Sequence, residues 1–491
     1  MTLSALRDVA LITTDTGAAV RLSLPWIRSL PLTSLAEPTV EIDGVPAGVV
    51  AVQYGDYRFP VDQIGDAADI WWFQQDRVAL ELAAPVPSGW HEVRVRFGLR
   101  IPYLPSGPEG PLTLRFTDER RVELDGNISA RRSTVLTENA SVRERPEART
   151  AQNQTDLPDG WVLSASSFNW TPDMIGTDDA AADLVVGIVS SGLAADVEAE
   201  PGQLWRTFPA DTTAQSEDLR ARLEAVGGSV SIMGASIDDW SARGTRCTAE
   251  ERLAFLLPQV EAAHRLGARG LRVPIGAAEP ELLERVLPLL QERNLNWYEE
   301  IQGPQTPGSA HAGAAIDRIV ARDDPRVRLL VDISMFMPAV PESYLQQLEV
   351  GGVPTALIAR LREAWGDPET ADEVVAFLRG GAVPAAVHTL YMDMLIRFGR
   401  SDASVIAEVL PWVGAFHLKF WDLDDEDGRV SGPIAALGEL LVNSDFRGTL
   451  CSEWGGQEWL DNDPTTMTRD HLALARTALS SGIRHSPLAA R

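Results

Sequence analysis

The hydrophobic pattern divides the chain into two regions that differ in period. From Leu11 to about Glu123, short runs alternate apolar and polar residues, and turn sequences such as Asp43-Gly44 separate them. These runs are AVRLSL, TVEIDG, GVVAVQYG, VALELAA, HEVRVRFGL and LTLRFT. Alternation without a helical period between the runs is typical of antiparallel sheets. We therefore predict an antiparallel all-β sandwich domain over residues 1–127.

A polar, charged stretch with little periodicity follows over residues 128–160. At roughly 30 residues it is long for a loop inside a compact domain. The change of composition predicts a domain boundary here, with the stretch acting as a linker.

Beyond this stretch, over residues 161–491, strand-like runs alternate with amphipathic segments. The runs are Val162–Ser167, Ala195–Glu200, Ser229–Ala235, Gly270–Ile275, Asn296–Gln302, Arg328–Ser334, Gly414–Phe420 and Thr449–Glu453. Eight β/α units over about 320 residues predict a (β/α)8 TIM barrel. A doubly wound sheet is the alternative, but it usually carries a glycine-rich phosphate turn after its first strand, and SASSFNW is not one.

The interval between the sixth and seventh runs is longer than its neighbours. It predicts a helical elaboration at about residues 338–400, in which TALIARLREAW and ADEVVAFLRG have helical patterns. An elaboration after the C-terminal end of a barrel strand lies over the active face. A lid and an oligomerisation arm fit this interval equally well.

Four of the late runs end in side chains that can bind a metal ion. They are Glu300 in NWYEEIQG, Asp332 in RLLVDIS, His417 in VGAFHLKFWD and Glu453 in TLCSEWGG. One such acid is usually a helix cap or an ion-pair partner, but four in succession indicate a shared site at the C-terminal face. Three carboxylates and one imidazole suit Mn²⁺ or Mg²⁺, and Zn²⁺ fits less well because no thiolate is indicated. Such a centre favours proton abstraction next to a carbonyl of a sugar or keto-sugar.

The group that transfers the proton is harder to identify. Lys419 shares a strand face with His417 and is a candidate base or electrostatic clamp, with a structural ion pair as the alternative. His311 follows the fifth run in GPQTPGSAHAG and is a second catalytic candidate. Arg272, on the fourth run, is a possible phosphate ligand.

Composition and charge reduce the range of binding partners and cellular compartments that fit this chain. The 491 residues include 43 Lys plus Arg against 70 Asp plus Glu, a net charge of −27 that disfavours nucleic acid and anionic membranes. Cys247 and Cys451 cannot form a disulfide framework, and no run of 18 apolar residues occurs. We predict a cytoplasmic homo-oligomer that acts on a small-molecule sugar or glycoside.

The segment Leu24–Leu35, LPWIRSLPLTSL, combines apolar residues, two prolines and Arg28. Prolines suit an edge or an irregular crossing rather than a central strand. We predict that this segment docks the sandwich on the barrel, because an aromatic residue with arginine is typical of interface anchors. The alternative is a loop that folds back on its own sheet.

From about Gly160 the chain resembles the xylose isomerase-like superfamily of sugar isomerases and epimerases, which bind a divalent metal through Glu, Asp, His and Glu. The segments EEIQG, LLVDIS, FHLKFWD and CSEWGG match those positions. Gln302 stands where the superfamily often has histidine, so no base is carried over from there. The N-terminal LPWIRSLPLTSL, VEIDG and SGWHEVRVRFGLRIPY are similar to the small β subunit of bacterial C-glycoside deglycosidases, whose large subunit is such a barrel.

This resemblance implies a fused carbon–carbon lyase. It would cleave the C-glycosidic bond of 3-oxo C-glycosides by proton abstraction next to the ketone and metal-stabilised elimination of the aglycone. A keto-sugar isomerase or epimerase is the alternative that shares the first step. A non-catalytic sugar-binding protein is the alternative of another class.

Overall fold

Residues 3–107, 110–126, 132–137 and 157–485 are described by a computed structural model. The strands that precede the barrel are β1 (Leu11–Thr14), β2 (Gly17–Ser23), β3 (Leu30–Pro31), β4 (Leu35–Ile42), β5 (Val45–Ala47), β6 (Val49–Tyr54), β7 (Tyr57–Pro60), β8 (Trp71–Trp72), β9 (Arg77–Leu82), β10 (Trp90–Gly107) and β11 (Gly110–Glu123). Two antiparallel sheets have the orders β1-β2-β9-β6-β7 and β11-β10-β4-β5, and β3 pairs with β8.

The two sheets share one apolar core because each strand turns alternate side chains inward. Val20 and Leu80 of the first sheet pack in the same cluster as Val95 and Leu99 of the second. The predicted antiparallel sandwich is confirmed.

The second region is a closed barrel of eight strands paired in parallel. They are β12 (Trp161–Ser166), β13 (Asp196–Ala199), β14 (Ser229–Gly234), β15 (Gly270–Pro274), β16 (Asn296–Ile301), β17 (Val327–Asp332), β18 (Val413–Phe420) and β19 (Gly448–Trp454). Each strand overlaps its predicted run, so the predicted (β/α)8 TIM barrel is confirmed and the doubly wound alternative is wrong.

The described helices begin before the barrel and continue between its strands. They are α1 (Thr134–Thr137), α2 (Thr171–Gly176), α3 (Ala181–Ser190), α4 (Pro201–Leu204), α5 (Thr213–Ala225), α6 (Ala249–Leu266), α7 (Pro280–Glu292), α8 (Ala310–Arg322), α9 (Glu342–Val350), α10 (Thr355–Glu363), α11 (Pro368–Arg379), α12 (His388–Arg397), α13 (Ser431–Val442) and α14 (Pro464–His485). Within the described ranges, no helix is both long enough and apolar enough to cross a bilayer.

Alternation along β16 decides which side chains enter the barrel. Trp297 and Ile301 join the large apolar core shared with the helices. Tyr298 packs instead with Leu330 of β17 and Ala415 of β18, in a small cluster inside the barrel. Glu300 has the parity of Tyr298 and therefore projects inward.

Helices α9 to α12 lie in the long interval between β17 and β18 and have an apolar core of their own. Trp421, just after β18, and Trp459, after β19, pack into that core. Because both tryptophans follow the C-terminal ends of strands, the helices lie at the C-terminal face of the barrel.

Part of the predicted linker packs on the barrel. Val135 of α1 belongs to the apolar core of the barrel, and Thr134 Oγ1 donates to Asp463 Oδ1 at 2.5 Å. Of residues 128–160, the structure describes 132–137 and 157–160, and the others lie outside the described residues.

The segment Leu24–Leu35 contacts the barrel segments that follow β13 and β14. The backbone nitrogen of Ser29 donates to the carbonyl oxygen of Gly202 at 2.8 Å, and the hydroxyl of Thr33 donates to the carbonyl of Ala242 at 2.5 Å. Leu24, together with Leu30 and Leu32, packs into the sandwich core. The predicted docking contact is confirmed, and the same segment also completes its own domain.

Arg28 is the charged anchor of this contact. Its Nη2 atom lies 2.6 Å from Oδ1 of Asp238, with the two side chains only 7% and 8% exposed. The guanidinium carbon lies 4.4 Å from the ring centre of Tyr103 and 5.4 Å from that of Phe208. A buried ion pair of this kind is costly to break, because the remaining charge loses its partner.

Candidate metal centre

The four predicted ligands converge inside the barrel. Glu300 and Asp332 come from β16 and β17, while His417 and Glu453 come from β18 and β19. One donor atom of each lies within 4.8 Å of the others. The residues are buried, at 5%, 0%, 0% and 6% exposure respectively. Parallel register explains the convergence, since Asp332 pairs with His417 across adjacent strands.

The His417 ring points one nitrogen at two of the carboxylates. Its Nδ1 lies 2.8 Å from Glu300 Oε1 and 3.0 Å from Glu453 Oε2. Burial opposes protonation of the ring, but the negative charges of Glu198, Glu453 and Glu300 outweigh it and raise the pKa of His417 well above its ordinary value.

Asp332 supplies the clearest sign that the site suits a cation. Its Oδ1 accepts from the backbone nitrogen of Ser334 at 2.7 Å, whereas Oδ2 is buried and has no hydrogen-bond partner in the described part of the chain. Burial raises the pKa of Asp332 to about 7, although the charge of Lys419 opposes the shift. A buried carboxylate oxygen without a partner is costly, and a bound cation would satisfy it.

The donor set decides which cation fits. Carboxylate oxygens with one imidazole suit Mn²⁺ or Mg²⁺. Cys451 also lies near His417 and Glu198, but burial raises the pKa of its thiol well above the ordinary value. A thiol that keeps its proton is a poor metal ligand, so the oxygen-rich set is the better candidate.

Arg272 organises the carboxylates around the site. Its Nε donates to Oε1 of Glu198 and its Nη1 donates to Oε2 of Glu300, each at 2.7 Å, and its Nη2 pairs with Glu200. Burial raises the pKa of Glu200 to about 7 despite the opposing charge of Arg272. The guanidinium is thus engaged by three acids, which disfavours the suggested phosphate contact.

Sequence reasoning missed Glu198 and Glu200. The run Ala195–Glu200 ends in two acidic residues spaced two positions apart. An acidic residue at the end of a strand-like run is the same signal that identified the four ligands. The strand-end signal could therefore have identified Glu198 as a candidate site residue, although it does not reveal the pairing with Arg272.

Lys419 lies beside the four ligands. Its Nζ atom is 3.0 Å from Oε2 of Glu453 and 5.2 Å from the ring centre of Phe168. Burial disfavours the ammonium, but Glu453 and Asp332 outweigh burial and raise the pKa of Lys419. Lys419 is also the single lysine among the 43 basic residues of the chain.

His311 occupies a different position. It is exposed in the first turn of α8, where its Nε2 lies 3.1 Å from the point at which a Cβ on Gly276 would stand. No hydrogen bond or ion pair among the described residues joins His311 to the four ligands, and its catalytic role stays a prediction.

Comparison with known proteins reveals relatives of two kinds. A C-glycoside deglycosidase alpha subunit from Arthrobacter globiformis is 24% identical over 308 residues, covering 61% of this chain and 87% of the relative. A 3'-dehydrocarminate deglycosidase beta subunit from Microbacterium sp is 33% identical over 119 residues, covering 23% of this chain and 89% of the relative. The solved structure of an L-ribulose 3-epimerase covers 67% of this chain and 98% of its own, with 13% identity and a TM-score of 0.41.

No protein-family model matches the chain. The two kinds of relative are separate alpha and beta subunits, whereas here both similarities occur in one polypeptide. Identity of 33% over 89% of a beta-subunit relative shows the family. The chain therefore belongs to the C-glycoside deglycosidase family of enzymes.

Proposed function

We propose that this chain is a divalent-metal-dependent carbon–carbon lyase that cleaves the C-glycosidic bond of 3-oxo C-glycosides. The observation that carries the proposal is the convergence of Glu300, Asp332, His417 and Glu453 inside the barrel of a member of this family. One relative is named for a 3'-dehydro substrate. A ketone in the sugar ring acidifies the adjacent C–H bond, which is what elimination of the aglycone requires.

The proposed ligands are suited to hold a cation at neutral pH. The charges of Arg272 and His417 outweigh burial and lower the pKa of Glu300 to about 2. The charges of His417 and Lys419 likewise lower the pKa of Glu453 well below its ordinary value. A divalent ion held there, Mn²⁺ in preference to Mg²⁺, would stabilise the negative charge that develops on the ketone oxygen when the adjacent proton leaves.

We assign Lys419 the role of an electrostatic clamp rather than a base. Its raised pKa keeps the ammonium protonated at neutral pH, and a protonated amine cannot abstract a proton. It can donate a hydrogen bond to a substrate oxygen that becomes negative. Every other residue of the Lys plus Arg total of this chain is arginine. The choice of a compact ammonium at this one position supports a specific role for Lys419.

We further propose that this single chain performs the functions that separate alpha and beta subunits perform in its relatives. The Leu24–Leu35 segment holds the sandwich against the segments after β13 and β14, next to the strand that carries Glu198. Homo-oligomerisation stays a prediction, which light scattering on the purified chain would measure.

The test uses purified full-length protein, stripped of metal by a chelator and reloaded with Mn²⁺. We expect aglycone release from a 3-oxo C-glucoside that depends on Mn²⁺ and is absent in Glu300→Gln. Interconversion of a 2-ketose without aglycone release would favour the isomerase or epimerase alternative. Binding of sugar with neither reaction would indicate a non-catalytic protein.

A further inference from the structure

The carboxylate of Glu198 lies on the opposite side of the His417 ring from the proposed ligands. Its Oε2 is 3.0 Å from Nε2 of His417, whereas Nδ1 of the same ring faces Glu300 and Glu453. Glu198 is 1% exposed. We infer that Glu198 is a positioning residue that fixes the His417 ring for metal binding, an inference that rests on the proposed metal centre.

The hydrogen-bonding chemistry of the ring gives the reason. A carboxylate accepts hydrogen bonds and donates none. Nε2 of His417 therefore carries a hydrogen in its contact with Glu198. When a cation replaces the hydrogen on Nδ1, the hydrogen on Nε2 stays with Glu198 and the lone pair of the ring lies on Nδ1. Nδ1 is the nitrogen that faces the proposed ligands Glu300 and Glu453. A carboxylate in this position selects the metal-binding tautomer and holds the plane of the ring.

Arg272 supplies the counter-charge that a buried carboxylate needs. Glu198 accepts from His417 with one oxygen and from Arg272, at 2.7 Å, with the other. The same guanidinium donates to Oε2 of Glu300, whose Oε1 faces His417. Glu198 thereby links two proposed ligands that come from different strands, β16 and β18.

A competing possibility is that Glu198 is itself a ligand. Glu198, His417 and Cys451 also place donor atoms within 4.8 Å of one another. That set would use Nε2 of His417 and a thiolate, with a single carboxylate. Both oxygens of Glu198 already accept, one from Arg272 and one from His417, whereas Oδ2 of Asp332 has no hydrogen-bond partner among the described residues. The geometry therefore favours the set on Nδ1, with Glu198 behind the ring.

Metal-free full-length variants test this inference by isothermal titration with Mn²⁺. In Glu198→Gln one amide oxygen cannot accept from both Arg272 and His417, so we expect Mn²⁺ affinity to fall about 10- to 100-fold. Glu198→Asp keeps two acceptor oxygens and the charge that Arg272 needs, so it should fold even if the Gln variant does not, with a smaller loss. Glu299→Gln is the matched control, because Glu299 is a buried acid that accepts from the backbone of Gly276.

Nuclear magnetic resonance of the ring nitrogens supplies a readout that a purely structural role would not change. The chain has seven histidines, and the His417 signals are identified by their loss in His417→Gln. In Mg²⁺-loaded wild-type protein labelled with ¹⁵N-histidine, we expect the hydrogen on Nε2. In Glu198→Gln we expect that signal to shift or to divide between two tautomers.

Two outcomes would overturn the inference. One is a Glu198→Gln variant that binds Mn²⁺ as tightly as wild type with unchanged ring signals. Another is Cys451→Ser losing as much Mn²⁺ affinity as Glu198→Gln, which would make Glu198 and Cys451 ligands. Wild-type protein that binds no divalent cation would contradict the proposed function itself, and is thus distinguished from failure of the Glu198 inference alone.

Discussion

Nδ1 of His417 lies 2.8 Å from Oε1 of Glu300, although 117 positions separate the two residues in the chain. The contact exists because β17 lies between β16 and β18 and sets the register of both. The centre is therefore a property of the closed barrel, and no single strand carries it.

The first prediction concerns the ligands themselves. Glu300→Gln, Asp332→Asn, His417→Gln and Glu453→Gln should each abolish Mn²⁺ binding and aglycone release, because each removes one donor with little change of volume. Metal analysis and turnover assays on variants with wild-type circular dichroism would measure this. Full activity in His417→Gln would remove that residue from the proposed ligand set.

The second prediction is that metal binding releases protons. His417 has a raised pKa and Asp332 has a pKa of about 7, so both hold protons in metal-free protein on the acid side of neutrality. Both must lose them to bind metal, and affinity should therefore rise with pH. Proton release should fall from about two per ion near pH 6 to about one near pH 8 as Asp332 deprotonates. Calorimetry in buffers of different ionisation enthalpy measures this number, and a value near zero at about pH 6 would contradict it.

The third prediction separates charge from metal binding at Lys419. Lys419→Met should lower turnover by about 10²- to 10³-fold, since it removes a charge aimed at the developing oxyanion, while Mn²⁺ remains bound. Because Lys419 is the only lysine, ¹⁵N-lysine labelling gives one side-chain signal, whose titration should show a pKa above the ordinary value. Unchanged turnover in Lys419→Met would make the residue structural.

How much of the fold and of the site the sequence predicts depends on how far apart in the chain the interacting residues lie. Strand alternation is local, so the inward direction of Glu300 and the outward direction of Trp297 follow from period two alone. The assembly of the ligands follows from closure of the barrel, which the eight runs predict. Which acid accepts from which nitrogen depends on side-chain geometry across several strands, and the pairing of Arg272 with Glu198 could not be read from either run.

The predicted linker illustrates a second limit. Its polar composition predicted a linker between the two domains, yet Val135 packs in the barrel core and Ser133 Oγ donates to Oδ2 of Asp173 at 2.5 Å. A few apolar residues within a charged stretch are enough for a short helix to dock, and averaged composition conceals them.

The fourth prediction tests the interface at its tightest point. A Cβ added at Gly202 would stand 2.6 Å from Cβ of Arg28, so Gly202→Ala must separate the docking segment from the barrel. We expect a loss of about 1–3 kcal/mol in the free energy of unfolding, which is typical of overpacking. Gly65→Ala is the control, because a Cβ there meets nothing within 4 Å. Equal thermal stability of the two variants would show that the interface tolerates displacement.

The last prediction asks whether the sandwich is needed for activity. Residues 1–127 and 128–491, produced as separate pieces, should associate and recover aglycone release only together, because Arg28 and Asp238 would each otherwise be left without the partner they have across the interface. The cut keeps α1 with the barrel, where Val135 is buried. Arg28→Met in the first piece should weaken association, since it leaves Asp238 unpaired and breaking a buried ion pair costs about 3–5 kcal/mol. Light scattering and turnover of the mixture measure both effects. A barrel piece with full activity on its own would contradict the proposed role of the sandwich.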